Sequence, residues 1–369
     1  MNKNMSPITI VMLCFSVLGA LDLIIGNKFG LGKQFENGIM LLGPMAMSMI
    51  GMIVLAPLIA HLLQPAVEWI SSVIPFEPSV IPGMLLANDM GGAPVALELA
   101  TNEKVGYFNG LIIASMMGVT ISYNLPFSMG VVNKEKHDSL MLGLLCGIVT
   151  VPIGCLVSGF IVALPLKDLL ASLIPLFLFA GLLAVGLFLA PDACLKGFKI
   201  FGKIIKSIIV IGLSIGIFEA LTGIDLVPYT ASIGEGVEIC IYGAMFLSGA
   251  FPLMYIVSKV FGKPMEKLGQ KIEINAKSAL GLLTSLVSCT PMFGNMEGMD
   301  DKGIVINSAF AVSAAFVFGS HLAFTMSLNA DFVVGMVVGK LLSGIAAVVV
   351  AMLLYKMIQK KKTISLTNI

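Results

Sequence analysis

Asn88 and Asp89 stand side by side in "LLANDMGGAP", with Gly91 and Gly92 just beyond them, in a 369-residue chain that is 57% hydrophobic and 12% charged. An ionised carboxylate at membrane depth costs on the order of 3 kcal/mol on insertion scales unless it meets a partner. A cationic solute would be a fitting partner for Asp89. Asn88 adds an amide that can address a hydroxyl or an ammonium, and the two glycines let the backbone turn and approach a ligand closely. Asp89 also has a purely structural reading, as the cap of a helix starting near Gly92.

Further polar residues recur in related settings. Asn124 and His321 each precede Leu-x-Phe, and Glu98 and Asn295 each lie four residues beyond a proline, Pro94 and Pro291. With Thr290 they complete the candidate substrate-binding set. Amide and imidazole can accept hydrogen bonds from an ammonium, although Asn124 could equally tie two helices together. A protonated His321 would repel a bound cation, so uptake is expected to fall as the site acidifies. Asp22 and Glu219 sit near helix ends and read as structural caps. Lys340, inside the last apolar run, is expected to snorkel outward rather than to pair with a carboxylate when the site is empty.

The composition excludes several classes of function. A mean hydropathy of +1.00 lies outside the range of water-soluble domains. All 22 basic residues are Lys, so no guanidinium can clamp phosphate or carboxylate. An anionic substrate is disfavoured, and no basic run interleaved with aromatics points to nucleic acid. The six cysteines lie singly without metal-ligand spacing. No phosphate-binding loop, HExxH or nucleophile–base set suggests an enzyme, and nothing calls for a metal or cofactor.

Apolar runs able to cross about 30 Å of hydrocarbon occur near 7–25, 38–63, 105–129, 138–163, 168–191, 201–222, 238–260, 303–326 and 331–355. Two shorter runs, 79–100 and 277–297, are broken by "NDMGGAP" and "SCTP" and are expected to be re-entrant hairpins. If they dip in and return, nearly all lysines share one face, as cytoplasmic loops require. Lys3, Lys104 and Lys167 remain outside with Glu68, Glu77 and Asp331, and Trp69 reads as an outer interfacial anchor. The N-terminus is then outside and the C-terminus inside.

Sliding the chain by 197 positions lays Asn124 on His321, "GGAP" on "SCTP", Gly106 on Gly303 and "LLCGI" on "LLSGI". Asn88 falls on Ser285 and Asp89 on Leu286, so the charge occurs in one copy only. Repeat A would cover 1–165 and repeat B 198–369, each with four spans and a hairpin, joined by an odd span within 166–197 that inverts the second copy. The expected fold is therefore an all-α, polytopic integral membrane protein of about nine to eleven transmembrane helices, with two re-entrant or broken hairpins and inverted-topology repeats, as in secondary transporters.

The motifs "LLANDMGGAPVALELA" and "SCTPMFGNMEGMDDKG", with the spacing of the spans, resemble the ethanolamine permease family (EutH) of bacterial ethanolamine-utilisation operons. The resemblance implies import of ethanolamine, a small cationic amine, through the cytoplasmic (inner) membrane. It also implies a functional link to a cobalamin-dependent ethanolamine ammonia-lyase housed in a protein-shelled compartment. It supplies no binding residues. Membrane lipid is the remaining expected partner, and a homo-oligomer is allowed. Movement would be facilitated diffusion or ion-coupled uptake. The alternatives are an ion-coupled carrier of another small solute, such as an amino acid or choline, or a membrane scaffold or enzyme without transport activity.

Overall fold

The computed structural model describes residues 7–73 and 76–367, and among these every regular element is helical. Lys3 and the side chains of Lys360, Lys361 and Lys362 lie outside what is described. In chain order the helices are α1 (Pro7–Ile24), α2 (Leu31–Met40), α3 (Leu42–Val73), α4 (Val80–Leu85), α5 (Gly92–Leu99), α6 (Glu103–Tyr107), α7 (Leu125–Val131), α8 (His137–Ile148), α9 (Val151–Ile161), α10 (Leu166–Leu189), α11 (Pro191–Thr222), α12 (Ile233–Lys271), α13 (Ala276–Val287), α14 (Cys289–Gly294), α15 (Asp301–Ala314), α16 (Ser320–Leu328) and α17 (Val333–Thr367). Between α6 and α7 the chain winds wider, in π-helical turns over Phe108–Gly118 and Thr120–Asn124.

Eight of the helical segments among the described residues are long and apolar enough to cross a membrane. The chain is thus an all-α polytopic membrane protein. The apolar run at 303–326 is not one helix, because α15 ends at Ala314 and α16 begins at Ser320. In the gap Phe316 takes a positive φ of 61°. The N–H groups of Phe316 and Phe318 leave the helix to donate to the carbonyls of Ser285 (3.0 Å) and Leu286 (2.8 Å) at the end of α13. Unpaired backbone at membrane depth is tolerated only where protein satisfies it, and here a neighbouring chain segment does so.

The helices form two packed groups. In one, α1 and α2 lie against α12 while α11 lies against α3. The approach is close enough that a Cβ at Gly249 would strike the Met12 carbonyl and one at Gly51 the Ile209 carbonyl. In the other group, α15 packs on α8 and α17, α17 on α9, and α4 and α5 on the π-helical segment. Asp22 and Glu219, near the ends of α1 and α11, are structural: each carboxylate ties down the segment that follows its helix. Asp22 accepts the N–H groups of Phe29, Leu31 and Gly32 at 2.8–2.9 Å, and Glu219 accepts from Leu226 at 3.0 Å and from the Thr230 hydroxyl at 3.1 Å.

Candidate functional site

The segment that carries Asn88 and Asp89 is a single tight turn, Asn88–Met90, between α4 and α5. Gly91 makes the turn possible with a φ of 103°, a conformation that side-chain-bearing residues rarely adopt. The turn is fixed from both sides: the Gly92 N–H donates to the Ala87 carbonyl at 2.8 Å and the Ala87 N–H to the Ser122 hydroxyl at 3.1 Å. Asp89 does not cap α5, whose first turn has no side-chain cap. Its carboxylate is half-buried, with the Ser320 hydroxyl and the Lys340 ammonium as neighbours. Asn88 is fully buried, and neither its Oδ1 nor its Nδ2 has a hydrogen-bond partner.

The second broken segment reaches the same region. Ser288 caps α14 by accepting the Thr290 N–H at 3.3 Å, and the Thr290 hydroxyl bonds the Tyr123 hydroxyl at 2.7 Å. Tyr123, bonded to the second tip, also has Asp89 of the first tip among the charges near it. Its ring stacks on Phe127 at 5.1 Å between centroids and meets Phe316 edge-on at 5.8 Å. Phe127 in turn lies 6.3 Å from Phe293. Asn124 is buried and engaged at both ends, donating to the Ala311 carbonyl at 3.2 Å and accepting from the Cys289 thiol at 3.3 Å. In this state it is a strut between the halves.

Lys340 corrects a sequence expectation. It does not snorkel: it is fully buried, and its ammonium donates to the Ser115 carbonyl in the π-helical segment and sits 3.2 Å from His321 Nδ1. Seven residues, or about 10 Å of helix rise, separate it from the start of α17, farther than a four-carbon stem reaches. A lysine ammonium has donors only, so whenever Lys340 is charged His321 Nδ1 accepts and the imidazole is neutral.

Asn88, Asp89, Asn124, Thr290 and His321 therefore converge, with Gly91 and Gly92 shaping the turn, joined by Tyr123, Ser320 and Lys340. Glu98 and Asn295 lie elsewhere. Glu98 is exposed near the far end of α5, and Asn295 lines a separate cleft of about 580 Å³ with Lys277, Thr284 and Glu297. Ser320 and Lys340 were not among the expected ligands. The signal for Lys340 was its depth within an apolar run.

A family model described as "Ethanolamine utilisation protein, EutH" matches residues 5–354. Among curated proteins, the chain is 44% identical over 351 residues to a "Probable ethanolamine permease EutH" of Listeria monocytogenes, covering 95% of this chain and 94% of that one. It is 36% identical to the protein of the same name from Salmonella typhimurium, covering 93% and 94%. It is also 36% identical to the "Uncharacterized protein YxeR" of Bacillus subtilis, covering 93% of each. No solved structure matches the chain.

Proposed function

The chain belongs to the EutH ethanolamine-utilisation family, and from that premise we propose that it transports ethanolamine across the bacterial cytoplasmic membrane through the site at Asp89. Ethanolamine carries an ammonium and a hydroxyl, and the site offers one group suited to each. The half-buried Asp89 carboxylate balances the ammonium. The observation that carries the reading is Asn88: a buried carboxamide with both ends unpaired costs stability unless a ligand completes it. Its position next to Asp89 suits the hydroxyl two carbons from the amine. Thr290, His321 and Tyr123 line the approach, and Asn124 becomes available once Cys289 moves. Glu98 and Asn295 serve outer stations of the pathway rather than the centre.

The reading includes an inverted duplication with re-entrant hairpins at 79–100 and 277–297. The backbone pairing supports it: the turn after α4 packs on Gly118 and Ser122, which fall on Ala315 and Gly319 at an offset of 197, and the end of α13 packs on the same stretch, at Phe316, Phe318 and Gly319. The N-terminus lies outside and the C-terminus inside, supported by the lysines. The protein acts as a permease rather than an enzyme, delivering amine to a cytoplasmic ammonia-lyase compartment, and a homo-oligomer is compatible with the exposed apolar helices. A second reading, a carrier of methylated amines, draws on the rings of Tyr123, Phe127 and Phe316 beside the carboxylate.

Uptake of labelled ethanolamine by proteoliposomes tests the proposal. Wild-type protein should take up label, Asp89→Asn should lose at least 100-fold in rate while still inserting as folded protein, and excess choline should compete weakly. Near-normal uptake by Asp89→Asn would remove the site, and strong competition by choline would favour the second reading.

A further inference from the structure

Lys340 is the one charge at the centre that substrate binding leaves unexplained. Its ammonium is wholly buried, bonded to a carbonyl and an imidazole, and among the described residues no carboxylate forms an ion pair with it. The ionisable groups that face it are Asp89 from the turn after α4, Cys155 from α9, Cys289 from α14 and His321 from α16. The π-helical segment contributes only the Ser115 carbonyl. The membrane-embedded part of α15 and the facing part of α8 bring no acid or base other than the Cys146 thiol. Among the described residues Asp89 is thus the only carboxylate near Lys340, and it is the same carboxylate that must receive the substrate.

One buried negative charge does not hold two cations, because the second finds its counter-charge already spent and meets a like charge in a medium that screens poorly. Resting on the reading of Asp89 as the amine site, we propose that Lys340 is the site's resident cation. Its ammonium balances Asp89 in the empty protein, and its proton leaves when a substrate ammonium binds, so each amine cation is exchanged for a proton. The N–H bond of Lys340 breaks with the electron pair staying on Nζ. The proton passes to water along the exposed side of Asp89, and the substrate stays an ammonium. The net charge of the site is the same before and after. His321 keeps the lysine nitrogen hydrogen-bonded in both states. Its Nδ1 accepts from the ammonium and, after a change of tautomer, donates to the neutral amine.

Purified full-length protein in lipid nanodiscs, titrated with ethanolamine in weakly buffered solution from about pH 6 to 8, tests this with a pH indicator as readout. Wild type should release close to one proton per ethanolamine bound, with affinity rising up to tenfold per pH unit. In Lys340→Met, which keeps the length of the stem without the charge, the empty Asp89 has no counter-charge and should hold the proton itself, giving a carboxylic-acid band in the bound-minus-empty infrared difference spectrum that wild type lacks. Binding by wild type with no proton release and flat affinity would overturn the exchange and leave Asp89 as the site. So would a carboxylic-acid band lost on binding by wild type, which would put the released proton on Asp89 and not on Lys340, and the wild-type measurements decide alone if the variant does not fold. Wild-type protein that binds no ethanolamine would bring down the site reading and the exchange together.

Discussion

Replacing Asn88 with leucine removes two buried polar atoms that have no partner and puts an apolar side chain of similar volume in their place. An unsatisfied buried group costs about 1–3 kcal/mol, so Asn88→Leu is expected to raise thermal stability in detergent by about 1 kcal/mol or more. In the same variant ethanolamine uptake should fall about tenfold, as the hydroxyl loses its hydrogen bond. Opposite signs separate a ligand-directed residue from a structural one, which would lose both, and thermal unfolding beside an uptake assay reads them. Asn88 and Asp89 were legible because polar residues at membrane depth are costly and glycines beside them announce a turn. Lys340 was misread because long lysines near helix ends do snorkel, and only its depth spoke against that. Ser320 gave no signal, since a serine in a helix normally bonds its own backbone. The strut role of Asn124 depends on Cys289 and Ala311, both more than 160 residues away.

At the level of elements, each broken segment has its ends tied by a carboxylate. Glu77, buried, accepts from the hydroxyls of Ser79 at 2.7 Å and Thr101 at 2.6 Å and from the Thr101 N–H at 3.2 Å, closing the span that holds α4 and α5. Asp300 does the same for α13 and α14, accepting from the Asn275 N–H at 2.9 Å and the Ser278 hydroxyl at 2.7 Å. Hydrogen bonds to a charged acceptor contribute about 1.5–3 kcal/mol each, and their loss is partly offset by water. Glu77→Ala should therefore lower stability by about 2–4 kcal/mol in thermal unfolding and slow uptake without abolishing substrate binding. Glu77 read from sequence as one more acid of an outer loop, because its partner Thr101 lies beyond both helices. The interruption at 315–319 was equally hidden. "AAFVFGS" is continuous with the flanking apolar run, and what breaks the helix is the pair of carbonyls at Ser285 and Leu286, a tertiary demand that local propensity does not register.

The molecule as a whole is divided across its halves rather than between them. Helices α1, α2 and α3 of the first half and α11 and α12 of the second pack together, as do α8, α9, α15 and α17, while the first broken segment packs on the π-helical segment and α3 and the second on α12 and α15. Met12 on α1 meets α12, and Ile209 on α11 meets α3. Sequence matching cannot see that helices of one half of the chain lean on those of the other. If the site is exposed alternately to the two faces, the group carrying it must shift against the other group. A cross-link between groups should then arrest uptake, whereas one within a group should not. Position 243 on α12 offers the first test, because a Cβ there lies 3.7 Å from the Ser327 hydroxyl on α16, the helix that carries Ser320 and His321 of the site and rests against α12. Position 216 on α11 offers the second, with a Cβ 3.5 Å from that of Ile233 on α12, inside the range a disulfide spans. In a Cys14→Ser background, oxidised Gly243→Cys/Ser327→Cys is expected to lose most ethanolamine uptake and to regain it on reduction. Oxidised Gly216→Cys/Ile233→Cys should transport at a rate close to its own reduced form. Equal uptake by both oxidised pairs would mean that the two groups do not move apart and that the amine follows a fixed channel past Asp89.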